Sequence, residues 1–287
     1  MLSHCFVALT FLVGWQPELS AQTASQAAAE QHVRLELVSE QDALIPSKDL
    51  WIGVRFLLDA GWHTYWLNPG DSGEPPRLEW HLPPGVKATD IQWPLPKRLL
   101  NLPFADYGYE HEVLLMAALD PSPSIPQGQT IEISALVRYL ICREVCIPGR
   151  KQLSLTLPVR DRASSTSAAE LFAATRRTLP QPAPYGLNAR AREASDELVL
   201  SLRTKDEGST AQFFPLNAEQ IENAAPQRVR KNPGGLEMHL IKSKHLLKSL
   251  ARLQGIVVLA PGRAYQIDVP VSQGLLKIAP GKSASHE

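Results

Sequence analysis

Three cysteines in 287 residues are too few for a disulfide-dense scaffold. The chain lacks several other marks of a known chemistry. Lys plus Arg equals Asp plus Glu, 29 each, so no net charge favours nucleic acid or an anionic membrane surface. No apolar run approaches the roughly 20 residues that a membrane-spanning helix needs. A transmembrane segment in the mature chain and a nucleic-acid partner are therefore not expected. There is no Gly-rich phosphate loop, no HExxH and no Ser-His-Asp signature, and the eight histidines are scattered. Aromatic residues make up only 7%. Helical periodicity is scarce as well.

What the chain does have is 24 prolines and many short runs in which apolar and polar residues alternate. That pattern predicts short strands joined by Pro-rich turns, hence an all-β fold, and the length fits about two domains. "HVRLELV" alternates Val33, Leu35 and Leu37 against Arg34 and Glu36, and "LWIGVRFLLDAGW" continues with Ile52, Val54, Phe56 and Leu58 before a turn at Asp59 to Gly61. "GWHTYWLNPGDSGEPPRLEWHLPPGV" has too many breakers for helix and reads as loops between short strands. "EVLLMAAL" resumes the alternation. "TIEISALVRYLI" places Ile131, Ile133, Ala135, Val137, Tyr139 and Ile141 on one face, and "QLSLTLPV" is its expected partner. "SSTSAAELFAATRRTL" predicts one helix and "PQPAPYG" a linker. A second strand set follows in "ELVLSL", "GLEMHL", "GIVVLA" and "AYQIDVPV", with short helices expected at "NAEQIENAA" and "SKHLLKSLARL". The expected division is 30–160 for the first β domain, 161–183 for helix and linker, 184–273 for a smaller second β domain, and a tail over 274–287.

At the N-terminus, "CFVALTFLVGW" (Cys5 to Trp15) is too short to span a bilayer. With "QPELSA" after it, it fits a secretory h-region of about 7–15 residues, cleaved after Ala21. Residues 1–21 are thus expected to be a signal peptide, carrying Cys5 away. The mature chain would then hold two cysteines, Cys142 and Cys146, in an oxidising compartment, where they are expected to pair.

Three readings of that pair stand at this point. As a staple it ties together almost nothing, since the chain-entropy model gives a five-residue ring only roughly 2 kcal/mol. As a metal clip it lacks partners, because zinc takes four ligands and no second CxxC, HxxxH or Met cluster accompanies it for cuprous ion. As a redox centre it has support: a short, loop-borne ring is accessible and reducible. Arg143, Arg150 and Lys151 lie nearby in sequence and favour thiolate, with Glu144 opposing them.

"GWHTYWLNPGDSGEPPRLEW", "WPLP", "YGYEHEVLL" and "VRYLICREVCIPGRKQLSLTLPV", in that order, resemble the N-terminal periplasmic domain of the thiol:disulfide interchange protein DsbD family. The likeness runs over Val33 to Val159 and is strongest to the branch of copper-sensitivity suppressor proteins of the ScsB type. "FFPLN", "GLEMHL" and "YQIDVPV" resemble the extra β domain that follows in that branch. The resemblance implies an immunoglobulin-like β-sandwich followed by a second, smaller β-sandwich-like domain with short helices. It also implies a periplasmic thiol–disulfide exchange module, without a cofactor, of the kind associated with cytochrome c biogenesis and copper tolerance. A membrane thiol-reducing protein or a thioredoxin-fold protein would be the electron donor, and a periplasmic disulfide protein the acceptor. The module would be a protein-disulfide reductase or simply a carrier. By position Cys146 joins the mixed disulfide with the partner, and Cys142 resolves it.

The family shields its pair with an aromatic cap. Phe104 and Tyr107 are the candidates here, although both also fit core or turn positions, and Asp106 falls among the acidic cap residues. Tyr65 matches a site-lining tyrosine, with His63 beside it. Trp62, Trp66, Trp80 and Trp93 read as core, and "NPGDSGEPP" as a turn from which Asp71 could reach a partner. The chain departs from the family in two respects. The spacing between its cysteines is short, and after Glu287 there is neither the membrane domain nor the thioredoxin domain of the full-length family, so a separate donor is expected. The alternative reading is a periplasmic binding module for copper or a protein partner, in which the disulfide is only structural.

Overall fold

The computed structural model describes residues 28–204, 211–246 and 248–273. The expected signal segment, Cys5 and the expected tail lie outside them. Ten strands come first: β1 (Val33–Ser39), β2 (Leu50–Leu58), β3 (His63–Gly70), β4 (Arg77–His81), β5 (Val86–Ala88), β6 (Lys97–Asn101), β7 (Phe104–Glu110), β8 (Glu112–Pro121), β9 (Thr130–Cys142) and β10 (Cys146–Pro158). The helix α1 (Ala169–Thr178) follows. Then come β11 (Gln181–Pro182), β12 (Asn188–Ala194), β13 (Glu197–Arg203), β14 (Gln212–Pro215), β15 (Arg228–Asn232), β16 (Gly235–Ile241), β17 (Arg252–Ala260) and β18 (Arg263–Ser272). The chain is all-β, as its alternation predicts, and its N-terminal part is the immunoglobulin-like sandwich that the resemblance implies. No helix among the described residues is long and apolar enough to cross a membrane.

β1, β2, β8 and β5 form a four-stranded sheet, and β10, β9, β3, β7 and β6 form the facing one, with β4 added to β9. Their inward residues meet in one core. Val33, Leu35, Ile52, Val54, Phe56 and Leu115 come from the first sheet, and Ile131, Ile133, Val137, Tyr139 and Ile141 from the second, as expected for face-to-face packing of two pleated sheets. β8 is buried on both faces. Val113, Leu115 and Leu119 enter the sandwich core, while Leu114 and Met116 turn outward against Phe172 of α1. Arg176 of the same helix makes a two-point hydrogen bond to Glu40, at 2.7 and 2.5 Å, and lies over the ring of Trp51.

Strands β11 to β18 build an eight-stranded sheet in the order β14, β17, β18, β12, β13, β16, β15, with β11 on β18. Leu198, Leu200 and Leu202 from one end share a core with Phe213, Leu253 and Val257 from the other, so the sheet closes over itself. "PQPAPYG" is more than a linker, since Gln181 and Pro182 pair with β18. Among the described residues neither of the two helices expected in this region is present. Residues 217–225 and the described part of 243–250 are turns and bends. Backbone groups that a helix would use internally are engaged elsewhere: Ile221 bridges to Lys242 and Glu222 N–H donates to the Ile241 carbonyl at 2.9 Å.

The two parts share a continuous core. Phe214, Ile256 and Ala264 of the C-terminal sheet belong to the N-terminal cluster, and Phe214 meets Trp66 and Tyr107 edge-on at 6.4 and 5.5 Å.

Candidate functional site

β9 and β10 pair in register over their whole length, ending with Cys142 opposite Cys146. The cysteines are therefore the last and first residues of a hairpin, separated by the three-residue turn Arg143, Glu144 and Val145. They form a disulfide with a Cα–Cα distance of 4.1 Å. The two sulfurs sit in unequal surroundings. Cys142 is 3% exposed, whereas Cys146 is exposed. Val145 in the turn is 65% exposed.

β3 lies beside the end of β9 and places His63 directly across from Cys142. Strand alternation then brings Tyr65, two residues on, to the same face. The Tyr65 hydroxyl donates to Cys142 Sγ at 2.8 Å and lies 3.6 Å from Cys146 Sγ. The rings of His63 and Tyr65 stand edge to face, 5.2 Å apart. On the neighbouring strand, β7, Asp106 lies opposite Gly70. Its carboxylate accepts from the Ser72 backbone N–H at 3.0 Å and from the Ser72 hydroxyl at 2.9 Å. It also stands 4.0 Å from His63 Nε2. That nitrogen is buried and has no hydrogen-bond partner among the described residues.

Burial sets the protonation preferences here. It pushes the Tyr65 hydroxyl up to about 12, partly offset by a hydrogen bond to Ser72, so Tyr65 is a donor at any physiological pH. It raises the Asp106 carboxyl, against the lowering effect of the Ser72 hydrogen bonds and of His63. It lowers the His63 imidazole, against support from Asp106 and Glu110. A raised carboxyl beside a lowered imidazole brings the proton affinities of the two groups closer together.

Of the residues singled out from the sequence, Tyr65 touches the Cys142 sulfur, His63 pairs with Cys142 across the sheet, and Asp106 stands 4.0 Å from His63. Tyr107 points elsewhere. It is fully buried, packs against Trp66 at 6.3 Å, and donates its hydroxyl to Asn223 Oδ1 at 3.0 Å. Phe104 stands at the start of β7 and is 53% exposed, beside the exposed Leu100 and Leu102. Asp71 is exposed, but both carboxylate oxygens are engaged within the chain: one accepts from Ala105 N–H at 2.8 Å and the other from Asn223 Nδ2 at 2.7 Å.

The expected basic surroundings are weaker than the sequence implies. Arg143 faces Glu144 at 3.6 Å and Lys151 pairs with Glu30 at 3.5 Å. Lys151 is also five residues along an extended strand from Cys146, roughly 16 Å away at 3.3 Å per residue. The Tyr65 hydroxyl is the group that touches sulfur. Sequence reasoning missed Ser72, hidden in a turn motif, and Asn223, in a segment read as helical. Neither carries a local signal, because the partners of both are distant in the chain. Among the described residues no group of three or more His, Cys, Asp or Glu is placed to hold a metal ion.

The family model described as "Thiol:disulfide interchange protein DsbD, N-terminal" matches residues 34–158. The structure is similar to the N-terminal periplasmic domain of ScsB from Proteus mirabilis, with a TM-score of 0.61 at 17% identity, covering 85% of this chain and 94% of that one. The N-terminal domain of DsbD from Neisseria meningitidis in its reduced form also matches, at 12% identity and a TM-score of 0.25, over 46% of this chain and 90% of that one. No curated protein sequence matches the chain. Residues 34–158, the N-terminal sandwich with its Cys142–Cys146 bridge, thus match the DsbD N-terminal domain family.

Proposed function

We propose that this chain is a periplasmic electron relay that alternates between the Cys142–Cys146 disulfide and the dithiol. It takes two electrons from a membrane or thioredoxin-fold donor and passes them to the disulfide of a periplasmic partner. The observation that carries this reading is the asymmetry of the pair: an exposed Cys146 beside a buried Cys142 held by the Tyr65 hydroxyl at 2.8 Å.

In the reduced protein the Cys146 thiolate attacks one sulfur of the partner's disulfide. An S–S bond forms between the two proteins and the partner's second sulfur leaves as a thiolate, which takes up a proton. Cys142 then loses its proton and attacks Cys146 Sγ. The internal disulfide closes and the partner departs with its second thiolate, so the partner is reduced by two electrons and this chain is oxidised by two. Tyr65 donates to the Cys142 sulfur as it becomes a thiolate, the species that needs the bond most. We assign the relay of that proton to Asp106 and His63, which stand 4.0 Å apart with the His63 ring edge-on to Tyr65. With Tyr107 committed to the interior, Phe104 is the one of the two aromatic cap candidates to which the cap role is assigned.

Equilibration of the mature protein against glutathione or dithiothreitol buffers tests this. The reading requires a potential between about −270 and −120 mV, the range of catalytic pairs, whereas structural bridges typically lie below about −300 mV. A value in the lower range would leave the bridge a staple and favour a binding module.

A further inference from the structure

Asn223 lies in the 217–225 loop of the C-terminal sheet and is 5% exposed. All its side-chain polar atoms face the N-terminal sandwich. Nδ2 donates to Asp71 Oδ1 at 2.7 Å and Oδ1 accepts from the Tyr107 hydroxyl at 3.0 Å. Its backbone carbonyl accepts from Arg98 Nε of β6 at 2.9 Å, and the same guanidinium reaches the Ala225 carbonyl at 2.8 Å. Asn68 adds a second tie, from Nδ2 to the Pro215 carbonyl at 2.8 Å. The loop is itself anchored to the end of β16 by Glu222 N–H, which donates to the Ile241 carbonyl at 2.9 Å, and just beyond that strand by the Ile221–Lys242 bridge.

These contacts converge on the two segments that form the redox site. Asp71 N–H donates to the Ala105 carbonyl at 3.1 Å and Asp71 Oδ2 accepts from Ala105 N–H at 2.8 Å, which clips the 70–73 loop to the start of β7. One residue further on in each segment, Ser72 holds Asp106. One more step along the loop, Gly73 sits so close over Tyr65 that a Cβ there would come within 2.1 Å of the ring. Tyr65 in turn holds Cys142.

We propose that the C-terminal sheet is a brace for the redox site, and that Asn223 is its positioning residue, acting through Asp71 on the loop that fixes Tyr65 and Asp106. A spacer would need a polar, replaceable contact. Here a buried amide satisfies a carboxylate and a phenol at once, and leaving the fully buried Tyr107 hydroxyl or the Asn223 amide unpaired is unfavourable. The inference rests on the relay reading, since it assigns the brace a role in thiol exchange.

The test measures the rate at which dithiothreitol reduces the bridge, across a range of pH, in the full mature chain. Wild type is compared with Asn223→Ala, Tyr107→Phe and Met238→Ala. Met238 is buried in the C-terminal core and controls for lost stability alone. Asn223→Ala is expected to speed reduction by roughly three- to tenfold, as the loop over Tyr65 opens and Cys142 becomes reachable. Tyr107→Phe keeps the packed ring, is expected to shift the rate in the same direction by less, and decides the matter if Asn223→Ala does not fold. Met238→Ala should leave the rate alone. Unchanged rates in both interface variants, or an equal rise in Met238→Ala, overturn the brace while the relay stands. A wild-type bridge that reacts only after unfolding overturns both.

Discussion

The hydroxyl of Tyr65 and the sulfur of Cys142, 77 residues apart in sequence, meet at 2.8 Å because β3 and β9 are neighbours in one sheet. That contact is the one polar interaction the buried sulfur receives from a side chain outside the bridge among the described residues. In the dithiol it becomes a hydrogen bond to a thiol or thiolate, and bonds to charged groups are worth about 1.5–3 kcal/mol.

Tyr65→Phe is therefore expected to raise the Cys142 thiol pKa and to slow closure of the mixed disulfide by roughly tenfold or more. The oxidised protein should lose little stability, since the ring and its packing remain. The pH dependence of alkylation of Cys142 in a Cys146→Ala background measures the pKa directly. An unchanged profile would remove Tyr65 from the mechanism.

The two cysteines should also differ sharply as single thiols. Cys142→Ala leaves an exposed Cys146, which should react with iodoacetamide at the rate of an ordinary surface thiol and accumulate mixed disulfides with partner proteins. Cys146→Ala leaves a Cys142 that is 3% exposed, and its alkylation should be slower by roughly two orders of magnitude, limited by local opening. Mass spectrometry of timed quenches reads both rates. Equal rates would mean that the oxidised geometry does not persist in the reduced state.

Much of this arrangement is legible in the amino-acid sequence alone. Alternation in Val33 to Leu37, Ile52 to Leu58 and Ile131 to Ile141 is the direct imprint of a pleated sheet with one face buried, and those residues do line the core. The cysteine pair is marked by its spacing, whereas Tyr65, His63 and Asp106 are marked only through the family resemblance. Where the sequence misleads, it does so for physical reasons. Residues 217–225 have helical composition, but their backbone groups and Asn223 are taken by tertiary partners as far as 152 residues away, and tertiary context overrides propensity. Arg143, Arg150 and Lys151 are close to the cysteines in sequence. An extended strand and partners such as Glu144 and Glu30 separate or neutralise the charges that sequence proximity suggests.

Asp106 and His63 make the site pH-sensitive in opposite senses. Burial raises the Asp106 carboxyl, so the folded state binds that proton more tightly than the unfolded chain. Its favourable contribution is present at low pH and is lost as the pH rises from the unfolded to the folded value. Burial lowers His63; its contribution is present above the unfolded value, about 6.5, and is lost as the pH falls through the folded one. Asp106→Asn removes the buried charge and should stabilise the protein near neutral pH, with the gain shrinking in acid. It should also lower the His63 pKa further, because the carboxylate 4.0 Å away supports the imidazolium. Denaturant titrations at several pH values and an NMR titration of His63 check both statements. A variant less stable at neutral pH would mean that the Ser72 hydrogen bonds outweigh the burial of the charge.

Gly73 and Gly128 allow backbone strain to be separated from loss of the site. Both have a positive φ, +77° and +83°, but a Cβ on Gly73 would lie 2.1 Å from the Tyr65 ring, whereas one on Gly128 meets nothing within 4 Å. Gly128→Ala should therefore cost only the left-handed backbone penalty, about 1 kcal/mol, and leave thiol exchange unchanged. Gly73→Ala carries the same penalty plus a collision that only movement of the loop or of Tyr65 relieves, for a total of roughly 2–4 kcal/mol. Because Tyr65 carries the hydrogen bond to Cys142, the relief should appear as an altered rate of bridge reduction and an altered near-UV tyrosine signal. If both variants lose stability equally and exchange at the wild-type rate, Tyr65 is free to yield without consequence, and the close fit of this loop over the ring has no part in controlling the sulfur beneath it.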